Sequence, residues 1–395
     1  MSSVMNILYV IPYFSPVFGG EVNACYNMAQ GMMARGHNVS IICSDYQFDE
    51  KFASSLKGAQ IITFPCRINL NFFLYSPEMK KWLSNNIGNY DIVHLQTYRS
   101  YQSMIARRYC TNNNIPYILH AHGTVTRIFK KRGFKLIFDS IVGRRILGDA
   151  SSVVALSNLE KEQYESMHVP PNKIQLIPNG VRELFVPTEL HRGAFRKRYG
   201  ITQDAIVLLF LGRLHKIKGL SFLINSLAMI NDKCQCHLFV VGPDEGVLQE
   251  LNELVNFTNM RQSIHFTGPL YGNDKISALL DADIYVQPSI YDAFPTSVLE
   301  ASSSGLPVIV TESCGCSDMI AEAKAGLIVK YGDCPSLSNA ILELAQNPHK
   351  GQILGTNGKK IIKSNYNINT LIDNLENLYI ETSMVGNRLD DSSYH

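Results

Sequence analysis

Two cations five positions apart, Arg213 and Lys218, stand on the segment GRLHKIKG that closes the apolar run 205–212. Arginine grips two phosphate oxygens at once with its planar fork, and lysine adds a compact positive charge. Together they suit a diphosphate; a solvated basic loop is the plain alternative. Downstream lies Tyr291-Asp292-Ala293-Phe294-Pro295-Thr296, followed by Glu300. Pro295 sits near the start of a helix and Gly305 beyond its end. Amides near Ala293, Phe294 and Thr296 would then be open to a ligand. Glu300, about one turn further on, can accept hydrogen bonds from ribose hydroxyls, and Asp292 can meet a sugar. A helix-end charge is the ordinary reading of either carboxylate alone.

Two further groups follow strands. Gly19-Gly20 lies between the first strand and the first helix, where glycine lets backbone approach a ligand and leaves a helix N-terminus open to an anion. A simple turn is the alternative. His122, in His120-Ala121-His122-Gly123-Thr124, can donate a hydrogen bond to a sugar hydroxyl or a phosphate, or can belong to a packed polar network. His94 is a weaker candidate of the same kind. No G-x-G-x-x-G follows a strand, and Gly358-Lys359 lacks the rest of a phosphate-binding loop. Asp281-Ala282-Asp283 has the D-x-D spacing of metal-dependent transferases but opens a strand, and Asp283 reads as part of it. Cys234-x-Cys236-His237 and Cys314-x-Cys316 lack the usual zinc spacing. No metal site is assigned.

These residues need strand ends to carry them. Short β-branched runs at 6–11, 38–43, 60–64, 91–95, 116–120 and 152–156 alternate with amphipathic segments such as 21–35, and the pattern restarts at 205–212, 236–242, 264–268, 283–287, 307–310 and 327–329. Such alternation predicts parallel sheets covered on both faces, with ligands beyond the strands' carboxyl ends. The expectation is an α/β chain of two Rossmann-like domains facing a cleft, residues 1–185 and 200–360, with a linker inside 178–204. A helix over 367–382, within a closing segment 361–383, is expected to return to the first domain. The polar last dozen residues read as disordered.

The whole-chain properties narrow the class. The 395 residues are 46% hydrophobic and 18% charged, enough for two cores. A net charge of +2 gives no bulk attraction to nucleic acid. The odd count of nine scattered cysteines and the lack of a signal-like start indicate a reducing, cytoplasmic setting. No run approaches a membrane span. Residues 127–145 carry seven basic residues and one acidic residue interleaved with apolar ones, which suits either an anionic membrane surface or a solvated basic helix.

Taken together, the segments resemble the retaining glycosyltransferases of the GT-B type, in the large family numbered four. LFLGRLHKIKG resembles that family's G-R-x(4)-K-G loop. DADIYVQPSIYDAFPTSVLEASSSGLPVIVT resembles its E-x7-E segment, LIPNGV its interdomain entry and HAHGT its strand-end histidine motif. The resemblance implies that Arg213 and Lys218 neutralise a donor diphosphate and Glu300 holds the ribose. Asp292, with the Ala293 and Phe294 amides, would position the transferred sugar, with His122 near that sugar and Gly20 near the diphosphate. It implies a nucleotide sugar as donor, no metal or other cofactor, and a glycan acceptor; the basic segment 127–145 suits a lipid-linked acceptor and a place at the inner face of the cell membrane. Removing Lys218 should then abolish transfer and leave the fold intact. Two positions depart from the pattern: Asp292 stands where the family has Glu, and Gly315-Cys316-Ser317-Asp318 replaces its Gly-Gly-x-x-Glu loop. The alternatives are a sugar-nucleotide epimerase on the same scaffold and a catalytically silent nucleotide-sugar-binding protein.

Overall fold

The computed structural model describes residues 4–70, 73–125, 132–183, 187–188 and 190–391. The chain forms two compact units, Met1–Asn179 with Ile368–His395, and Gly180–Asn367.

The first unit holds β1 (Asn6–Val10), β2 (Asn38–Ser44), β3 (Gln60–Phe64), β4 (Ile68–Leu70), β5 (Phe73–Tyr75), β6 (Ile92–Leu95), β7 (Tyr117–His120), β8 (Ser152–Ala155) and β9 (Ile174–Leu176). Seven of them make a parallel sheet in the order β3-β2-β1-β6-β7-β8-β9, while β4 and β5 pair as a hairpin. Strand alternation sends Ile7 and Tyr9 into one core and Leu8 and Val10 into another, so both faces are covered. The hairpin and β9 were not expected from the sequence, because strands of three residues are too short to show a period.

The second unit holds β10 (Ile206–Leu211), β11 (Cys236–Val241), β12 (Ile264–Gly268), β13 (Ile284–Gln287), β14 (Val308–Thr311) and β15 (Gly326–Val329). They form one parallel sheet in the order β12-β11-β10-β13-β14-β15. In each sheet the order reverses beside its first strand, between β1 and β6 and between β10 and β13. Such switch points open a crevice at the strands' carboxyl ends.

Unit boundaries differ from the sequence-based ones. The first unit ends at Asn179, and residues up to Asn365 belong to the second unit's helix Pro348–Asn365. The last helix runs Ile368–Asp391 and belongs to the first unit. Its Leu371, Ile372, Leu375, Leu378 and Tyr379 are buried there, and Arg35 reaches both Asp373 and Glu376. The tail expected to be disordered is therefore helical as far as Asp391. Residues docked at helical spacing supply the costly nucleus, and each further residue fixed then adds one hydrogen bond. Residues 392–395 lie outside the described ones.

Candidate active site

In the second unit the two segments singled out for chemistry follow β10 and β13, the strands that flank the switch point. After β10 the chain makes a tight turn over Lys216–Lys218, capped at the front by His215, whose Nδ1 accepts from the Ile217 amide at 3.1 Å. Gly219 closes it at φ +68°, and a Cβ there would lie 2.0 Å from the Pro288 carbonyl oxygen. Only glycine fits both the left-handed conformation and the approach to the loop after β13. Ile290 N donates to Ile217 O at 2.8 Å and ties the two loops together.

After β13, Pro295 caps the helix Thr296–Ser303, so Thr296 opens it and the first amides have no intrahelical acceptor. Ala293 and Phe294 are buried, and the Phe294 ring stacks on Tyr366 at 5.8 Å. These two side chains therefore anchor the loop, leaving backbone as their means of meeting a ligand. Asp292 is fixed through its main chain by the 313–315 turn: its amide donates to Ser313 O at 3.3 Å, and its carbonyl accepts from Gly315 N at 2.7 Å.

Each candidate charge is paired. Lys218 Nζ donates to Asp292 Oδ2 at 2.5 Å, with side chains only 16% and 14% exposed. Arg213 Nη1 donates to Glu245 Oε1 at 2.5 Å, and Lys275 Nζ to Glu300 Oε1 at 2.8 Å. Gln287 is fully buried and adds a second donor to Asp292 Oδ2 at 3.1 Å. Its Oε1 accepts from the Tyr285 hydroxyl at 2.7 Å, which also meets Ser297 Oγ at 2.8 Å. Burial and the nearby Asp292 and Glu300 carboxylates push the Tyr285 phenol well up, so it stays a neutral donor. Glu245, Lys275, Gln287 and Tyr285 escaped the sequence reading. The one available signal was Gln287, a polar residue ending an otherwise apolar buried strand.

The first unit carries the other candidates. Gly19, at φ 82° and ψ −134°, caps the helix Gly20–Ala34. The conformational demand falls on Gly19; a Cβ on Gly20 would meet nothing within 4 Å. Beyond β7, His122 occupies a left-handed turn at φ 49°, and Glu160 Oε1 holds that turn by accepting from Gly123 N at 2.6 Å. Burial pulls the His122 imidazole down to about 3, so it is neutral. Its Nε2 donates to Gln96 Oε1 at 2.8 Å, which leaves Nδ1 as an acceptor. In this tautomer the ring offers an acceptor at Nδ1, where the sequence reading had a donor. Its ring stacks on His120 at 3.7 Å. His94 is structural: it is buried, and its Nδ1 meets the Tyr379 hydroxyl of the last helix at 2.5 Å.

The D-x-D pair is committed elsewhere. Asp281 is buried and accepts from the amides of Phe195 at 2.7 Å and Arg196 at 3.0 Å, capping the helix Ala194–Arg198. Asp283 pairs with the buried Arg196 at 2.6 Å. All nine cysteines are free thiols, with Cys236, Cys314 and Cys316 buried. Among the described residues no group of three or more His, Cys, Asp or Glu could hold a metal ion, and no helix is long and apolar enough to cross a membrane.

Two parallel, doubly wound sheets, one in each unit, are the architecture of the GT-B class. Known proteins agree. The Glycosyltransferase Family 4 model matches residues 18–183, and the Glycosyl transferases group 1 model matches residues 191–361. An uncharacterized glycosyltransferase of Methanocaldococcus jannaschii is 24% identical over 97% of this chain and 100% of its own length. The UDP-Gal:alpha-D-GlcNAc-diphosphoundecaprenol alpha-1,3-galactosyltransferase of Escherichia coli is 27% identical over 74% of this chain and 76% of its own. The structure of Anabaena HepE in complex with UDP and glucose superposes with a TM-score of 0.79 at 17% identity, covering 95% of this chain and 99% of that one. The chain belongs to the GT-B glycosyltransferases of group 1 and family 4, enzymes that use nucleotide sugars.

Proposed function

We propose that this enzyme moves a sugar from a nucleotide-diphosphate sugar to a hydroxyl of a glycan or lipid-linked acceptor, with retention of anomeric configuration and without a metal ion, in cell-surface glycan or glycolipid assembly. The observation that carries the reading is the Lys218–Asp292 pair, which joins the segments that follow β10 and β13, the same segments that carry Arg213 and Glu300. As the bond from the anomeric carbon to the phosphate oxygen breaks, the carbon becomes cation-like and the diphosphate gains charge. Arg213 and Lys218 offset that charge where it develops. The departing phosphate oxygen takes the acceptor's proton on the same face of the sugar. No pair of catalytic carboxylates is then needed, and the glycosidase spacing rule does not apply. Glu300 accepts from the ribose, while Asp292, with the Ala293 and Phe294 amides, positions the sugar. Thr296 adds a helix-terminal amide; in the first unit taken by itself, Gly19 and Gly20 offer backbone to an anion, and His122 Nδ1 can accept from a hydroxyl.

A thermal-shift and hydrolysis screen against UDP-, GDP- and ADP-sugars tests this reading. HepE binds UDP and the Escherichia coli relative is named for UDP-Gal, so UDP-sugars come first. Stabilisation by one donor class, with turnover on adding acceptor, is expected; no response to any would refute it.

The proposed setting is cytoplasmic, at the inner face of the cell membrane. On the first unit Leu136, Ile137 and Ile141 are exposed beside exposed Arg144 and Arg145. Apolar side chains flanked by cations suit an anionic lipid surface. The start of the basic segment, 127–131, lies outside the described residues. Ile137→Glu with Ile141→Glu should release the protein from anionic liposomes; unchanged sedimentation would sink the membrane contact.

A further inference from the structure

The carboxylate assigned to the ribose has a partner of its own. Lys275 lies on the helix Gly272–Asp281, which leads into β13, and Glu300 on the helix Thr296–Ser303, which follows it. Their side chains are 33% and 29% exposed, so a ligand can reach both. Ion pairs at this exposure add little to stability. The neighbouring Asp274 is taken by Arg198 at 2.8 Å, so Lys275 serves Glu300 and not its own helix.

We propose that Lys275 is the positioning residue for the ribose-binding carboxylate, and hence sets the preference for a ribonucleoside over a deoxyribonucleoside diphosphate. This rests on the donor-site reading above. An ionised carboxylate has about four lone-pair sites. Lys275 occupies one on Oε1 and leaves Oε2 and the remaining site on Oε1 for two vicinal hydroxyls. Glutamate is a flexible side chain, and holding it before the ligand arrives removes an ordering cost from binding. Glu300 would also repel an incoming diphosphate, and the ammonium cancels that charge. The same logic runs through the site, where Arg213 and Lys218 are balanced by Glu245 and Asp292.

The test compares wild type, Lys275→Ala, Lys275→Arg, Glu300→Ala and the Lys275→Ala/Glu300→Ala double variant. Calorimetry measures the affinity of each for the tightest binder among UDP, GDP and ADP, and for its 2′-deoxy form. Lys275→Ala should weaken the ribonucleotide by about tenfold and reduce its advantage over the deoxy form. It should raise the donor KM by a similar factor, with kcat falling less than about threefold. Lys275→Arg should stay within about threefold of wild type, and in the Glu300→Ala background the lysine change should add less than about twofold. An unchanged ribose preference in Lys275→Ala would overturn the inference. So would an equal loss in the Glu300→Ala background, which would mean that the lysine grips the ligand directly. Weakened binding that merely tracks a lowered melting temperature of the unliganded protein would overturn it too. If wild type binds none of the three diphosphates, the donor-site reading itself falls.

Discussion

Replacing Lys218 by methionine keeps its aliphatic stem and deletes its charge. Asp292 then loses a partner 2.5 Å away while remaining 14% exposed, with Gln287 at 3.1 Å as its remaining side-chain donor. Breaking a fully buried pair costs ~3–5 kcal/mol. The residual exposure and the Gln287 bond reduce this to about 2–3 kcal/mol. At roughly 2–4 °C per kcal/mol for a unit of this size, the melting temperature should fall by about 4–12 °C. The double variant Lys218→Met/Asp292→Asn leaves no lone charge, and its stability should return to within about 1 kcal/mol of wild type. Transfer should stay down by at least ~10² in both variants, because the group that meets the leaving diphosphate is gone. Differential scanning calorimetry beside steady-state kcat/KM separates the two effects. Recovery of activity together with stability in the double variant would refute the catalytic role of Lys218. Because the lysine is half of a mostly buried ion pair, its removal should leave the fold intact but less stable.

Gly219→Ala would set a Cβ 2.0 Å from the Pro288 carbonyl oxygen at φ +68°, so the cationic loop must shift. We expect a loss of about 2 kcal/mol and at least tenfold in donor affinity; normal thermal stability and donor titrations would contradict it. The histidines of the first unit predict acid sensitivity. Burial holds His94 and His122 down to about 3 and His120 well below its ordinary value, so all three are neutral when folded. Unfolded, each binds a proton near pH 6.5, so the unfolded state holds more protons below that pH; His94 and His122 each remove ~1.4 kcal/mol per unit of acidification down to about pH 3, and His120 acts in the same direction. Glu160 works in the other direction: burial lifts it to about 7, and its contribution is lost as pH rises from about 4.5 to 7. The histidines outnumber it, so the melting temperature should fall between pH 6.5 and 5; a flat or rising profile would contradict the neutral stack.

What could be read from the sequence was whatever depends on local period. The buried strands 38–43 and 236–242 showed as apolar runs, and Arg213, Lys218, Asp292 and Glu300 stood out because they follow such runs. What could not be read was the pairing. Lys218 and Asp292 are 74 positions apart, and Asp281 caps amides 85 and 86 positions upstream. Spacing alone could not separate a D-x-D metal motif from a helix cap. Gln287 looked like one more strand residue until the fold placed its amide on Asp292. His122 was legible as a candidate, but its tautomer depends on Gln96, which only the adjacent strand ends bring within 2.8 Å. The last helix was underestimated because its far end is polar, and composition cannot show that five docked residues hold its start.

The donor site is tested most directly by a crystal structure of the enzyme with a bound nucleoside diphosphate. Arg213 and Lys218 should lie within hydrogen-bond distance of the phosphate oxygens, and Glu300 should accept from the ribose hydroxyls while keeping Lys275. A diphosphate bound elsewhere, with Arg213 still on Glu245 and Lys218 engaged only by Asp292, would contradict the assignment.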